Sequence, residues 1–188
     1  MNKRILLLLV LLIVAGLGAA AWPYARARLA GLLSPEGEAT STDSSSATQT
    51  GLRAVTLWFA DVSGDSLISE VRELPEQDGV HERLAQLVDA LVSGPQRRGV
   101  GVLPAGTSLL HAYLDDRGLL TLDLSRPFQQ GFHGGSRAED LVTGSLLRTI
   151  GSNLPEVKQV LVVCGGSPIA SLGGHLPLDQ PIDPHSVP

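Results

Sequence analysis

The sequence predicts an α+β domain: a two-layer sandwich with two helices packed on one face of a mixed β-sheet, in the order β-β-α-β-β-α-β. Two observations predict it. Short segments rich in β-branched and aromatic residues alternate with turn signals, as strands do. Two longer segments repeat apolar residues at three- and four-residue steps, as amphipathic helices do. Because each helix has one apolar stripe, packing both stripes on one sheet face buries them together.

The N-terminal residues precede this domain and carry a targeting signal. Lys3 and Arg4 precede the segment 5–24, which consists of an uninterrupted apolar run over residues 5–21 followed by Trp22 and Tyr24. Such a run approaches the ~20 residues that cross a bilayer, and a cationic start favours a cytoplasmic N-terminus. We expect a single-pass membrane anchor with the rest of the chain exported. Cleavage of the run as a secretory signal, after the small residues 18–21, stays open and would also export the domain.

A flexible linker is predicted over residues 25–52. Its central part, residues 35–50, is rich in Ser, Thr and acidic residues and has almost no large apolar side chain. Such a composition cannot offset the entropy lost on ordering. The linker would therefore act as a spacer between the membrane and the domain.

The domain is predicted to span residues 53–182 and to open with a β-hairpin. Residues 54–59 and 67–74 read as its two strands, joined by a glycine-containing turn. Neighbouring residues of a strand point to opposite sides, so one of Trp58 and Phe59 enters the core and the other faces outward. The sequence does not tell which.

The first helix is predicted to follow Gly79 and to stop at Gly94 and Pro95, which are typical helix terminators. Its apolar stripe consists of Leu84, Leu87, Val88, Leu91 and Val92. The spacing of this stripe places it on one helical face, toward the sheet.

The remaining strands are predicted in the second half of the domain. Residues 109–114 and 119–124 form a hairpin closed by the tight turn 115–118. Residues 159–163 are continuously apolar and predict a central, buried strand. A short strand is predicted near residues 171–172.

The second helix is predicted to begin at Ser136 and to end near Asn153. Ser136 followed by Glu139 has the spacing of a capping box, in which each side chain bonds the other residue's backbone N–H. Residues 183–188 are predicted to be a disordered tail.

Several short motifs, in this order along the chain, resemble the GerMN domain family of sporulation and spore germination proteins. They comprise residues 55–59, 91–95, 103–107, 120–125, 157–163 and 172–178. The resemblance implies a non-catalytic domain outside the cytoplasm, with a fold similar to the ring-building modules of secretion and sporulation assemblies. It supplies no catalytic residue. The sequence has one copy of the domain and no lipid-anchor cysteine, unlike the double-domain sporulation members, so a general cell-envelope role is expected.

The charge of the chain argues against two classes of partner. It has 14 Lys and Arg against 19 Asp and Glu, a formal net charge of −5. Nucleic-acid binding requires neutralisation of phosphates, and docking on anionic lipid requires clustered cations. We therefore expect no nucleic-acid partner, and contact with the membrane only through the N-terminal segment.

No catalytic, cofactor-binding or metal-binding residue is predicted. Ser136 and Ser167 follow glycine pairs, but neither completes the Gly-x-Ser-x-Gly elbow of hydrolases. A metal set would have to be assembled from His175, Asp179, Asp183 and His185, whose spacing matches no standard ligand motif.

Three further features have structural explanations. Cys164, which ends an apolar strand, is interpreted as a small buried side chain rather than a reactive thiol. Asp115 and Asp116 are interpreted as a hairpin tip. Gly99 and Gly101 lack the third glycine and the helix that a dinucleotide site needs.

The sequence therefore favours an interaction or assembly module of the bacterial cell envelope. Such a module would meet a copy of itself or another envelope protein through a sheet edge or helix face. The alternative is a binding module for a cell-wall fragment or other envelope ligand, and a hydrolase is the least favoured interpretation. No cofactor is expected.

Overall fold

A computed structural model describes residues 51–187, and the α+β class predicted from the sequence is confirmed. The strands are β1 (Leu52–Ala60), β2 (Leu67–Pro75), β3 (Leu109–Leu114), β4 (Leu119–Leu124), β5 (Gln159–Cys164) and β6 (Ser167–Pro168). The helices are α1 (Val80–Val92), α2 (Pro127–Gln130) and α3 (Ser136–Asn153). The predicted N-terminus, anchor and most of the linker lie outside these residues. Among residues 51–187, no helix has the length and apolar character needed to cross a membrane.

The strands form two hydrogen-bonded sheets rather than one. β1 and β2 are an antiparallel hairpin of their own. The other sheet has the order β3-β4-β5-β6 and is mixed, because β4 and β5 run parallel while the other neighbours are antiparallel. The two-residue strand β6 pairs with the end of β5, so the short strand predicted near residues 171–172 lies earlier in the chain.

One hydrophobic core joins both long helices to the inner faces of both sheets. Its fully buried members are mainly leucines, as the low aromatic content predicts: Leu57, Leu84, Leu91, Leu120, Leu122, Leu124, Leu146, Leu147 and Leu154. Burying each such side chain stabilises the fold by about 1.5–3 kcal/mol relative to exposure. The core therefore holds the first hairpin on the rest of the domain without strand pairing between the sheets.

A polar stripe on α3 occupies the edge of β1. Ser145, Thr149 and Asn153 are four residues apart and lie on one helical face. Asn153 Oδ1 accepts from Thr56 N at 2.9 Å and Asn153 Nδ2 donates to Thr56 O at 2.7 Å. Trp58 N donates to Thr149 Oγ1 at 3.0 Å, and Ser145 Oγ donates to Trp58 O at 2.6 Å. These side chains take the place of a neighbouring strand, which explains why the hairpin remains a separate sheet.

The structure decides which of the two adjacent aromatic residues enters the core. Phe59 is fully buried, and Trp58 is half-buried on the opposite side of the hairpin. Trp58 Nε1 donates to Ser152 Oγ at 3.0 Å, and the Arg148 guanidinium lies 5.1 Å from the centre of the indole ring. The hydrogen bonds of the β1 edge fix this register.

The predicted capping box at the start of α3 is wrong. The N-cap residue is Gly135, and no side chain caps the helix. Glu139 is fully buried and turns away from the helix terminus toward a later loop. The spacing of Ser136 and Glu139 matches the motif, but the Glu139 carboxylate accepts hydrogen bonds from the loop at residues 172–175 instead of from the helix N-terminus.

The C-terminal residues differ from the predicted disordered tail. Ile182 exchanges two backbone hydrogen bonds with Val160, at 2.8 and 2.9 Å. Val187 is buried in the core, and its carbonyl accepts two hydrogen bonds from Arg148. The buried side chains of Pro184 and Val187 and the hydrogen bonds from Arg148 together hold residues 183–187 on the domain.

Candidate functional site

An open groove runs between β2 and α1. It encloses about 740 Å³. One wall is the second half of β2, including Val71 and Glu73, and the other wall is the face of α1 that carries Gln86, Asp89 and Ser93. The groove follows from the packing: the apolar stripe of α1 points into the core, so its polar face is left beside the strand.

A buried ion pair on the inner face of β2 lies beside this groove, and its Arg72 is among the residues that line the groove. Arg72 Nε donates to Glu70 Oε1 at 2.6 Å, and both side chains are less than a tenth exposed. Arg72 also donates to the carbonyl of Gly94 at 2.6 Å, just beyond the C-terminus of α1. Glu70 accepts the backbone N–H groups of Gln96 and Arg97. The pair thus fastens the turn after α1 onto β2.

The hydrogen bonds of Glu70 keep its carboxylate charged. Burial alone would raise the pKa of Glu70, but the Arg72 side chain and the N–H donors of Gln96 and Arg97 outweigh it and lower the pKa below its ordinary value. A carboxylate held in this way is a poor general acid or base near neutral pH. Glu70 is therefore suited to holding the turn after α1 in place rather than to proton transfer.

The outer edge of β2 presents backbone groups without strand partners. Thr56 and Trp58 direct their N–H and C=O groups away from β2, toward α3. In an antiparallel pair, the residues opposite such positions also point away from their partner strand. Those opposite residues are Val71 and Ser69, and Glu73 continues the alternation. Within residues 51–187, no other strand pairs with this edge.

A sequence model of the Germane family, described as sporulation and spore germination, matches residues 56–170, which is more than half of the chain. The chain belongs to the Germane family. The resemblance noted from the sequence motifs is thereby confirmed. Among curated proteins, none matches the chain.

Three solved structures similar to this Germane domain come from Bacillus subtilis and Clostridium perfringens. The tandem GerMN domains of the sporulation protein GerM from Bacillus subtilis superpose with a TM-score of 0.58 at 18% identity, covering 71% of this chain and 46% of that chain. The first GerMN domain of the same protein gives 0.56 at 17% identity, covering 70% and 97%. A Clostridium perfringens protein assigned as a lipoprotein gives 0.51 at 20% identity, covering 74% and 92%. At these identities the likeness shows the fold, and the chain spans about half of the tandem structure.

A second buried carboxylate of the Germane domain, on Glu139, is not among the residues that line the groove. Glu139 accepts backbone N–H groups from Leu172 and His175, each at 2.9 Å. Burial alone would raise the pKa of Glu139, but backbone donors of this loop, including Gly173, outweigh it and lower the pKa below its ordinary value. Glu139 anchors the loop to α3 and is fully buried beneath it, so it is not accessible to a substrate.

The histidines and acidic residues of the C-terminal segment do not assemble a metal centre. Residues 51–187 contain no cluster of three or more His, Cys, Asp or Glu side chains placed to hold an ion. Asp183 instead accepts the backbone N–H of His185, and the His185 ring lies against Gly151 of α3.

The serines and histidines considered for hydrolysis are not brought together. Ser136 and Ser167 are exposed at the start of α3 and in β6. Within residues 51–187, the one ion pair that involves a histidine is His111 with Asp123, at 3.4 Å, and that imidazole is largely exposed. The Asp123 carboxylate also accepts the backbone N–H of Gly166. This arrangement lacks an adjacent nucleophile and reads as a surface contact.

The cysteine and the aspartate pair behave as the sequence predicted. Cys164 is buried, and burial raises the pKa of its thiol, which keeps it protonated. Its Sγ donates to the carbonyl of Ser125. Asp115 bonds the backbone N–H groups of Arg117 and Leu119, so it stabilises the hairpin turn.

Sequence reasoning missed the residues that shape the groove. Glu70 and Arg72 alternate with exposed residues in β2, so they resembled the solvent face of an ordinary amphipathic strand. One sequence signal could have found them. Glu70 and Arg72 carry opposite charges two residues apart, so their side chains lie on the same face of β2, and pairing with β1 makes that face the inner one. That signal required the register of β1, which the sequence did not settle.

Proposed function

We propose that this chain is a non-catalytic interaction module of the bacterial cell envelope. The observation that carries the proposal is the unpaired edge of β2, which lies beside a groove lined in part by Arg72 of a buried ion pair. An exposed strand edge is a template for an additional strand, and binding proteins use such edges to capture extended segments. The edge offers both a binding surface and a rigid support.

The proposed location is outside the cytoplasm. The apolar residues 5–24 and the basic residues before them support a single-pass anchor with a cytoplasmic N-terminus. The polar residues 25–52 would serve as a linker, and the domain would follow from residue 53. Similarity to GerM and to a protein assigned as a lipoprotein supports an envelope context. The family description, sporulation and spore germination, raises a narrower role for this chain in sporulation.

A non-catalytic role is supported by how the ionisable groups are used. The two most deeply buried carboxylates, on Glu70 and Glu139, are both saturated by backbone donors. The thiol of Cys164 is buried and protonated. Groups committed to internal hydrogen bonds are poorly suited to general acid–base or nucleophilic chemistry.

A second candidate is a binding module for a cell-wall fragment or other envelope ligand. The groove volume of about 740 Å³ falls within the range of small-molecule sites, roughly 300–1,000 Å³, and favours this alternative. Its walls mix polar side chains with Val71 and Ala90. Calorimetric titration with soluble peptidoglycan fragments would distinguish it, because heat of binding that the Asp89→Arg variant loses would support ligand recognition.

Two measurements on the full-length chain test the principal proposal. First, protease added outside intact cells with a permeabilised outer envelope should digest a C-terminal tag and spare an N-terminal one. Second, cross-linking in membranes followed by purification should recover discrete complexes. A C-terminal tag that is protected like a cytosolic protein would overturn the location. Recovery of the monomer alone, after cross-linking in membranes, would overturn the interaction role.

A further inference from the structure

We infer that the partner at the edge of β2 is the β2 strand of a second copy of this chain, paired antiparallel about a two-fold axis at Val71. This inference rests on the interaction role proposed above and adds the identity of the partner and the register of pairing. Three observations carry it: the pattern of unpaired backbone groups, the distribution of charge along the edge, and the exposed apolar side chain at its centre.

The backbone groups on this edge are self-complementary. Ser69, Val71 and Glu73 each direct one N–H and one C=O outward. If Val71 faces Val71 of the second copy, Ser69 of each copy faces Glu73 of the other. All three residues then form hydrogen-bonded pairs, with about six new backbone bonds in total. The register of β2 with β1 is continuous over the whole hairpin, so the edge is regular along its length.

The charges along the edge are arranged with opposite signs at its two ends. Near Ser69, a hollow of about 480 Å³ is lined by Arg97 and Arg98, both exposed. Near the other end, the groove is flanked by the exposed carboxylates of Glu73 and Asp89. Arg97 lines both this hollow and the groove, whereas Arg98 lines only the hollow. Antiparallel pairing places the basic end of one copy against the acidic end of the other, which favours this orientation over a parallel one.

The centre of the edge is apolar and exposed. Val71 is 57% exposed, although β-branched residues on a strand usually pack against a cross-strand neighbour. On the two-fold axis, the two Val71 side chains would lie on the same face and contact each other. The pairing would also join two hairpins into one four-stranded antiparallel sheet, with the outer edges covered by α3 of each copy.

Site-specific cross-linking of the full-length chain in membrane vesicles tests this register. In a Cys164→Ala background, Val71→Cys should give a covalent dimer with a short bifunctional maleimide, since facing Cα atoms of such a pair lie about 5.5 Å apart. Ser69→Cys alone should not, because those two residues would be separated by roughly 13 Å along the strands. A mixture of Ser69→Cys chains with Glu73→Cys chains should cross-link between the two.

A charge at the two-fold axis should prevent the pairing without affecting the fold. Val71→Lys places two ammonium groups opposite each other and should weaken self-association on the order of tenfold or more, measured by fluorescence energy transfer between labelled chains in vesicles. Val62→Lys is the matched control, because Val62 is 84% exposed in the turn between β1 and β2 and is not one of the paired residues of the hairpin. High salt should also weaken the association, since the end charges are exposed.

The outcomes separate this inference from the broader proposal. Dimers in the predicted register that Val71→Lys abolishes and Val62→Lys spares would support a second copy. Cross-linking of Ser69→Cys to itself, or equal association of both lysine variants, would overturn the register. If Val71→Cys gives no dimer while the wild-type chain still yields complexes with another protein, the second copy is wrong and the interaction role stands. If no complex of any kind forms, both fail.

Discussion

Phe59 and Trp58 are neighbours in sequence with opposite structural roles, and their substitution should differ accordingly. Phe59 is fully buried in the core, whereas Trp58 lies on the outer side of the hairpin. Phe59→Ala should lower the free energy of unfolding by about 3–5 kcal/mol through lost burial and a cavity. Trp58→Ala should lower it by about 1 kcal/mol, mainly through the lost contact with Arg148. Urea denaturation of both variants measures the difference, and equal losses would contradict the assigned register.

Glu139 should make the stability of the domain depend on pH. Its pKa in the folded state lies below the ordinary value of 4.5, so its charged form stabilises the fold above that pH. This contribution should decline as the pH falls through the folded-state pKa. At pH 7, Glu139→Gln should lower the free energy of unfolding by about 2–3 kcal/mol. The reason is that a neutral amide replaces the charged carboxylate that accepts the backbone N–H groups of the loop.

The pH profile distinguishes the charge of Glu139 from its shape. The stability difference between wild type and Glu139→Gln should shrink as the pH is lowered from 6 toward the acid range, measured by thermal unfolding. Glu76→Gln serves as the control, since Glu76 is exposed, and it should change stability by less than about 0.5 kcal/mol at any pH. A constant difference across the pH range would contradict the assignment of a charged carboxylate.

At the scale of the elements, α3 provides the hydrogen bonds that a neighbouring strand would otherwise make with β1. Its Ser145, Thr149 and Asn153 side chains satisfy four backbone groups that would otherwise be an open edge. Protecting an edge in this way prevents further strands from adding on that side. The hairpin consequently has one covered edge and one open edge, and that asymmetry locates the candidate interaction surface on β2.

Substitution within this polar stripe should loosen the β1 edge locally. Thr149→Val keeps the shape of the side chain but removes the acceptor of Trp58 N, which leaves a backbone donor unsatisfied. We expect a loss of about 1–3 kcal/mol and faster hydrogen exchange at the amide of Trp58. Ser152→Ala is the control on the same helix, because Ser152 bonds only the indole of Trp58 at the surface. Its effect on that amide should be small.

The hairpin and helix boundaries show where sequence patterns are reliable. The first helix was predicted after Gly79 with a stop at Gly94, and α1 spans Val80–Val92. Strands 109–114 and 119–124 match β3 and β4. These elements are specified locally, by apolar periodicity and by turn residues. The capping box at Ser136 failed because its glutamate is used by a loop that the sequence pattern of α3 does not include.

At the scale of the whole molecule, the C-terminal segment is part of the core. Val187 is buried and its carbonyl is held by Arg148, so deleting residues 183–188 should lower the free energy of unfolding by about 1.5–3 kcal/mol. Val187→Ala in the full-length chain isolates the apolar contact and should account for roughly half of that loss. Chemical denaturation measures both. An unchanged midpoint after truncation would support the disordered tail that the sequence predicted.

The polar groups of the Germane domain are of two kinds: buried groups that stabilise the fold, and exposed groups that can contact a partner. Buried polar side chains such as Glu70, Arg72 and Glu139 are all engaged in hydrogen bonds. The exposed charges beside β2 include Arg97 and Arg98 at one end and Glu73 and Asp89 at the other. A surface with a regular strand edge and paired opposite charges is suited to recognition of a protein segment, including a copy of itself.

The sequence alone determined the α+β class, the family, the first hairpin, the principal helices and the absence of a hydrolase motif. These follow from local periodicity, turn chemistry and the order of short motifs, all of which are properties of neighbouring residues. Only the tertiary structure decided that Phe59 is the core aromatic, that the strands divide into two sheets, and that β2 has the open edge. Those features depend on hydrogen bonds between α3 and β1, about ninety or more residues apart, and no local pattern encodes a contact at that distance.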